Sequence, residues 1–172
     1  MWWPTQYAGG GGSVAVVGLK YTVPNNTAGP SYVQLSNITK FNQKILDPNN
    51  LCTLNADSTF LLAKGTWVWN ASVNIGSASQ TGFWRGHIWI LGLNTNPTLK
   101  DLGVNVGHST LPSLTTGNNE IVCQGNGVFE LATADTLKLI CYLRNQNANP
   151  GSPTQAGLSE IYSSLTLMQI AG

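Results

Sequence analysis

Apolar and polar residues alternate with a period of two along much of this chain, and that period belongs to strands half covered by a core rather than to helices. The clearest run is Thr66-Trp67-Val68-Trp69-Asn70-Ala71-Ser72-Val73-Asn74-Ile75, which puts Trp67, Trp69, Ala71, Val73 and Ile75 on one face and Thr66, Asn70, Ser72 and Asn74 on the other. Thr136 to Leu143 turns Leu137, Leu139, Cys141 and Leu143 one way and leaves Ile140 and Tyr142 facing the other. Ile161 to Ile170 sets Tyr162, Thr166, Met168 and Ile170 opposite Ile161, Leu165 and Leu167. Arg85 to Leu93 departs from the pattern. It is apolar on both faces, which predicts a strand covered by a second sheet on one side and by another subunit on the other.

Turn chemistry punctuates these runs. Asp47-Pro48-Asn49-Asn50 predicts a turn, Thr59 to Ala63 a short strand, and Lys64-Gly65 a tight connection into the Trp67 run. Gly125-Asn126-Gly127 suits a hairpin turn between Glu120–Gln124 and Val128–Leu131. Residues 101–119 carry a weak pattern that predicts one marginal strand and a loop, and residues 145–157 form a long polar loop. Val14 to Val23 is compact and β-branched and predicts a strand, belonging either to an N-terminal arm or to the main fold. Pro24 to Pro30 is turn chemistry throughout, so the boundary is set there: residues 1–30 as an arm and residues 31–172 as the domain. No segment sustains a helical period. Many short strands and frequent turns predict an all-β sandwich of the jelly-roll kind.

The first thirteen residues join Trp2, Trp3, Pro4 and Tyr7 to the run Gly9-Gly10-Gly11-Gly12-Ser13. Large aromatic side chains on a glycine tether predict an adhesive arm that docks onto a partner through Trp2, Trp3 and Tyr7. The competing readings are an arm that folds back onto its own domain and a remnant of expression.

Composition narrows the function classes. Among 172 residues, 42% are hydrophobic, enough for one domain core, while charged residues are 9% against a usual figure of about 25%. The polar remainder is Asn, Thr, Ser and Gln. A net charge of +1, with basic residues scattered singly, gives no footprint for nucleic acid. No apolar run is long enough to cross a bilayer, and none is basic and amphipathic. The first residues lack the basic and apolar regions of an export signal, which is read as use without export or prior removal of the signal. Cys52, Cys123 and Cys141 are odd in number and show no CxxC spacing, so they are expected to be buried small apolar residues.

Chemistry finds little to work with. The 7 acidic residues fall at turns and strand ends, and His87 and His108 lie in a strand and a loop, so no catalytic group is expected. The glycine run lacks the helix and Lys-Ser/Thr of a phosphate loop, and Asp47-Pro48-Asn49-Asn50 is only a faint echo of a calcium loop. No cofactor or metal is expected. Asn25, Asn37 and Asn70 begin glycosylation sequons of a kind that arise by chance in a chain so rich in Asn, Thr and Ser. Phe83 and Trp84, ahead of the Arg85 strand, suit either a sugar-stacking platform or loop-end packing.

The stretch Leu54 to Val73, with Phe60, Gly65, Trp67 and Trp69, resembles the C1q and tumour-necrosis-factor-like family, in which a short strand runs through a glycine into an aromatic-rich strand. Gly127 to Tyr142 is similar to that family's loop-then-strand segment, and Ser163 to Leu167 to its last strand. The resemblance implies a ten-stranded jelly roll that packs as a homotrimer. On that basis Ile88, Ile90, Ile140, Tyr142, Tyr162 and Met168, which the periodicity leaves facing away from a core or on a two-sided strand, are expected at the trimer interface. An aromatic, Gly-rich arm stands where the family carries a stalk. Stalkless versions of the fold resemble decoration proteins and fibre heads of tailed-phage virions. The expected function is therefore capsid cement, made in a host cytoplasm, located on the virion surface and partnered by itself and by a major capsid protein. The alternatives are a receptor- or glycan-binding fibre head, with Phe83 and Trp84 facing the ligand, and a secreted C1q-like module.

Overall fold

A computed structural model of the chain describes residues 14–25, 27, 29, 35–78, 84–92, 109–111, 118–144 and 160–172. Among them the regular structure is all strand: β1 (Ala15–Val23), β2 (Leu35–Ile38), β3 (Gln43–Leu46), β4 (Cys52–Leu54), β5 (Phe60–Leu62), β6 (Gly65–Ala78), β7 (Trp84–Gly92), β8 (Ser109–Leu111), β9 (Asn118–Leu131), β10 (Asp135–Arg144) and β11 (Glu160–Ala171). They form two sheets. One has the order β3-β1-β11-β6-β9; the other runs β4-β5-β10-β7-β8, with β2 pairing on β10 as well. Every pairing is antiparallel. Neighbours distant in sequence, such as β1 beside β11 and β11 beside β6, are what makes the sandwich a jelly roll.

The core follows from the period of two. Trp67, Trp69, Ala71 and Val73 of β6 are buried, as are Leu165 and Leu167 of β11, Val17 and Leu19 of β1, and Cys123 and Phe129 of β9. From the other sheet come Phe60, Leu62, Ile88, Ile90, Leu137, Leu139 and Cys141. At one end the link Thr39–Asn42 crosses and closes this core. Phe41 enters it edge-on against Phe60, ring centroids 6.5 Å apart. Ser58 holds that link by accepting from the Phe41 N–H and donating to its carbonyl, both at 3.1 Å. Asn42 adds a two-way bond to the Thr22 backbone, at 3.0 and 2.7 Å.

Gly65 opens β6 at φ 140°, a conformation reserved for glycine, and an added Cβ would lie 2.6 Å from the Ala171 carbonyl oxygen. The turn at residues 47–50 is held by Asp47, whose carboxylate accepts from the N–H groups of Leu51 and Cys52 and from Lys44 at 2.8 to 3.0 Å. Burial works against this charge, but the hydrogen bonds from Lys44, Leu51 and Cys52 outweigh it and hold the carboxyl below its ordinary range. Its donors are thus its own loop, as a turn requires.

Two expectations are corrected. Residues 118–131 are one strand paired with β6 along its whole length, from Asn118 opposite Ala78 to Leu131 opposite Gly65, and not a hairpin about Gly125-Asn126-Gly127. A two-residue hairpin of the favoured type needs positive φ at its centre. Among the described glycines positive φ occurs at Gly65, and the even spacing from Cys123 to Phe129 keeps both in the core. The boundary at residue 30 also moves, because Ala15–Val23 lies between β3 and β11 inside the five-stranded sheet. Its alternation buries Ala15, Val17 and Leu19, which only a place in the sandwich can satisfy.

Candidate assembly interface

The side of the five-stranded sheet turned away from the core is built by the residues between the core positions. Register aligns Val16 of β1 with Met168 of β11, Met168 with Val68 of β6, and Val68 with Val128 of β9. Four apolar side chains thus form one row across four strands. Val128 is 59% exposed and Met168 37%, and Ile170 at 54% extends the patch at one end. The next row is Gly18, Thr166, Asn70 and Asn126, and the one after is Lys20, Ser164, Ser72 and Gln124. Beyond these, Ser72, Asn74, Val122, Ile161, Tyr162 and Ser164 surround a shallow hollow of about 150 Å³.

Charge is nearly absent from the described part of this surface. Among its described side chains on β1, β11, β6 and β9, Lys20 and Glu130 are the charged ones, near opposite ends of the patch. A sheet face that meets only water normally carries charged and long polar residues. Here amides and hydroxyls lie beside exposed Val, Met and Ile. Contiguous apolar patches rimmed by polar groups are the kind of surface that serves as an interaction site in other proteins, which makes this face the candidate.

The residues expected at a trimer interface fall in different places. Met168 lies on this outer face, in the apolar row. Ile88 and Ile90 do not reach any outer surface; both are 0% exposed in the core, because β7 lies between β10 and β8 and turns these two residues toward the Trp67 sheet. Ile140 faces away from Leu139 and Cys141, yet it is buried within its own chain at a strand flanked by β2 and β7. Tyr162 sits on the outer side of β11 but is covered by the segment after β1: its hydroxyl donates to the Thr27 carbonyl at 3.1 Å, and Gly29 lies against its ring. The side chain of Tyr142 lies outside the described residues. So do Trp2, Trp3, Tyr7 and Phe83, and of Trp84 the backbone is described, paired with Leu111.

Val16, Val68, Val128 and Ile170 were missed. Val68 had a signal, being the one apolar residue in the polar phase of the Thr66 to Ile75 run. Val128 had none, since the hairpin expectation separated it from β6.

The three cysteines are buried thiols. Burial, with the nearby Asp47 charge, pushes Cys52 up to about 12. The Cys123 thiol beside it and burial raise Cys141, while the Cys141 thiol lowers Cys123. Among the described residues no group of three His, Cys, Asp or Glu side chains is placed to hold a metal ion, and no helix is long and apolar enough to cross a membrane.

No family model matches the chain, and no curated protein sequence matches it. Solved structures do. The chain is similar to murine APRIL at pH 8.5, with 13% identity and a TM-score of 0.51, covering 92% of this chain and 100% of that one. Murine APRIL at pH 8.0 gives 13% identity and 0.50, and at pH 5.0 it gives 16% and 0.50, with the same coverage. At such identity the likeness speaks for the path of the backbone alone. With the two antiparallel sheets, it identifies the fold as a tumour-necrosis-factor-like jelly roll.

Proposed function

We propose that this protein is a homotrimeric, non-enzymatic assembly module that attaches to a larger particle as a decoration or cement protein does on a viral capsid. One observation carries the self-association: the apolar row on the outer face of the five-stranded sheet, with Val16, Met168, Val68 and Val128 in register. Covering that row removes apolar area from water at about 25 cal/mol per Å² before association costs. The number three comes from the resemblance to the C1q and tumour-necrosis-factor-like family. The capsid comes from the composition of the N-terminal segment, where Trp2, Trp3 and Tyr7 precede a glycine tether. Three such arms on one trimer would act together, so weak individual docking becomes firm attachment.

Light scattering and particle-binding assays test the two parts separately. The full chain is expected at three times 18.3 kDa, and a monomer at micromolar concentration would remove the basis of the reading. Deleting residues 1–12 is expected to leave that mass unchanged while abolishing binding to capsids; binding retained by the truncated trimer would sink the arm.

A further inference from the structure

The margins of the two sheets are unequal. Among the described strands, β2, β3, β4 and β8 offer margins of only 4, 4, 3 and 3 residues. β3 is further interrupted by a register shift at Gly18. Short or bulged margins discourage other chains from pairing with them. β9 is different: it ends the order β3-β1-β11-β6-β9 with 14 residues, all paired with β6 in unbroken register. Strands β7 and β8 of the other sheet approach it without pairing to it. From Ile121 to Phe129 it holds no charged residue and no proline. Every second residue of an edge strand turns its backbone N–H and C=O away from its one neighbour, so a long, regular, uncharged margin is a template for a further strand.

The exposed side chains indicate which strand fits. Val122, Gln124, Asn126, Val128 and Glu130 are exposed, while Cys123, Gly125, Phe129 and Leu131 are buried. About Gly125 the exposed series mirrors itself, with an amide at 124 and 126 and a valine at 122 and 128. An antiparallel copy, related by a two-fold axis at Gly125, therefore sets Val122 against the partner's Val128 and Gln124 against the partner's Asn126. An axis at Asn126 would instead set Val122 against the partner's Glu130. We infer that β9 is a self-pairing edge: β9 of a second copy adds to it antiparallel about Gly125 and joins two five-stranded sheets into one. Such a contact is isologous, each patch meeting its own equivalent. The same register sets position 120 opposite the partner's Glu130, where like charges oppose closure. With one strand of contact set against the lost freedom of two bodies, dilute units stay apart. Copies docked side by side on a particle are held at high effective concentration, and there the edges link neighbours to one another. That setting rests on the proposed function, whereas the pairing itself does not.

The test compares the full chain with two variants, Gln124→Lys/Asn126→Lys and Gln124→Glu/Asn126→Glu, each judged against its own dilute unit by analytical ultracentrifugation. As the wild type is concentrated from about 10 µM to about 1 mM, particles of two units or more are expected, whether the unit is one chain or three. Each variant alone opposes like charges across the axis and should stay at one unit, with far-ultraviolet circular dichroism matching the wild type. Mixed one to one, the Lys and Glu variants should recover particles of two units, which simple misfolding could not produce. Glu120→Lys, which makes both end contacts opposite in charge, should lower the concentration at which pairs appear by several-fold. A wild type that stays at one unit throughout, a Lys or Glu variant that pairs alone, or a mixture that does not pair would each overturn the assignment. A dilute unit of one chain would count against the trimer, and the pairing is then judged on pairs of single chains.

Discussion

The two faces of the Trp67 sheet are made from the same strands and carry apolar residues in the same register, yet they differ in kind. Inside, Trp67, Trp69, Leu165 and Leu167 are at most 1% exposed and fill volume left by the opposite sheet. Outside, Val68, Met168 and Val128 form a single row backed by Asn, Thr and Ser. The inner face needs shape and bulk, because it must fill a space closed on every side. On the proposed function the outer face needs only to avoid charge, because its complement is supplied by another molecule. Apolar residues thus do two jobs on one sheet, and burial within the chain separates them.

Substitutions on the two faces should therefore fail differently. Trp69→Ala empties a closed core and is expected to cost about 3–5 kcal/mol of folding stability, read from urea unfolding. Met168→Lys sets a charge in the apolar row; it should leave far-ultraviolet circular dichroism unchanged and convert the oligomer to monomer in light scattering. An unfolded Met168→Lys chain would mean that the outer row belongs to the fold and not to assembly. The smallest effect concerns salt. Since the described side chains of the face carry charge at Lys20 and Glu130, near its opposite ends, raising sodium chloride from about 0.1 M to about 1 M should leave the oligomer mass unaltered. Dissociation by salt would mean that ion pairs, and not the apolar row, hold the copies together.

Most of the sandwich was legible because period two is a local property. The run from Trp67 to Val73 names its own buried face, and Leu137, Leu139 and Leu165 follow the same rule. What escaped was set by distant partners. Gly125 and Gly127 look like a turn in isolation, and only the 14 residues of β6 alongside hold them in an extended strand. Ile88 and Ile90 look two-sided, and only the position of β7 between β10 and β8 decides which way they point. Tyr162 looked like an interface residue because its cover, around Thr27 and Gly29, lies 135 residues away in sequence. The assembly face was half legible for the same reason: Met168 follows from alternation, but a row across four strands exists only once register is known.

The edge where β9 approaches β7 has a counterpart on the other side of the sandwich, where β3 and β4 are only 4 and 3 residues long and every β3 side chain is exposed. One flank is sewn by a 14-residue ladder, the other by a few bonds and the Asp47 clasp. Thermal breathing should therefore begin on the β3–β4 flank, and backbone amides there should exchange with solvent long before those of β6 and β9. On that expectation the β6–β9 side would act as the spine of a book whose pages part first at Gln43 to Leu54.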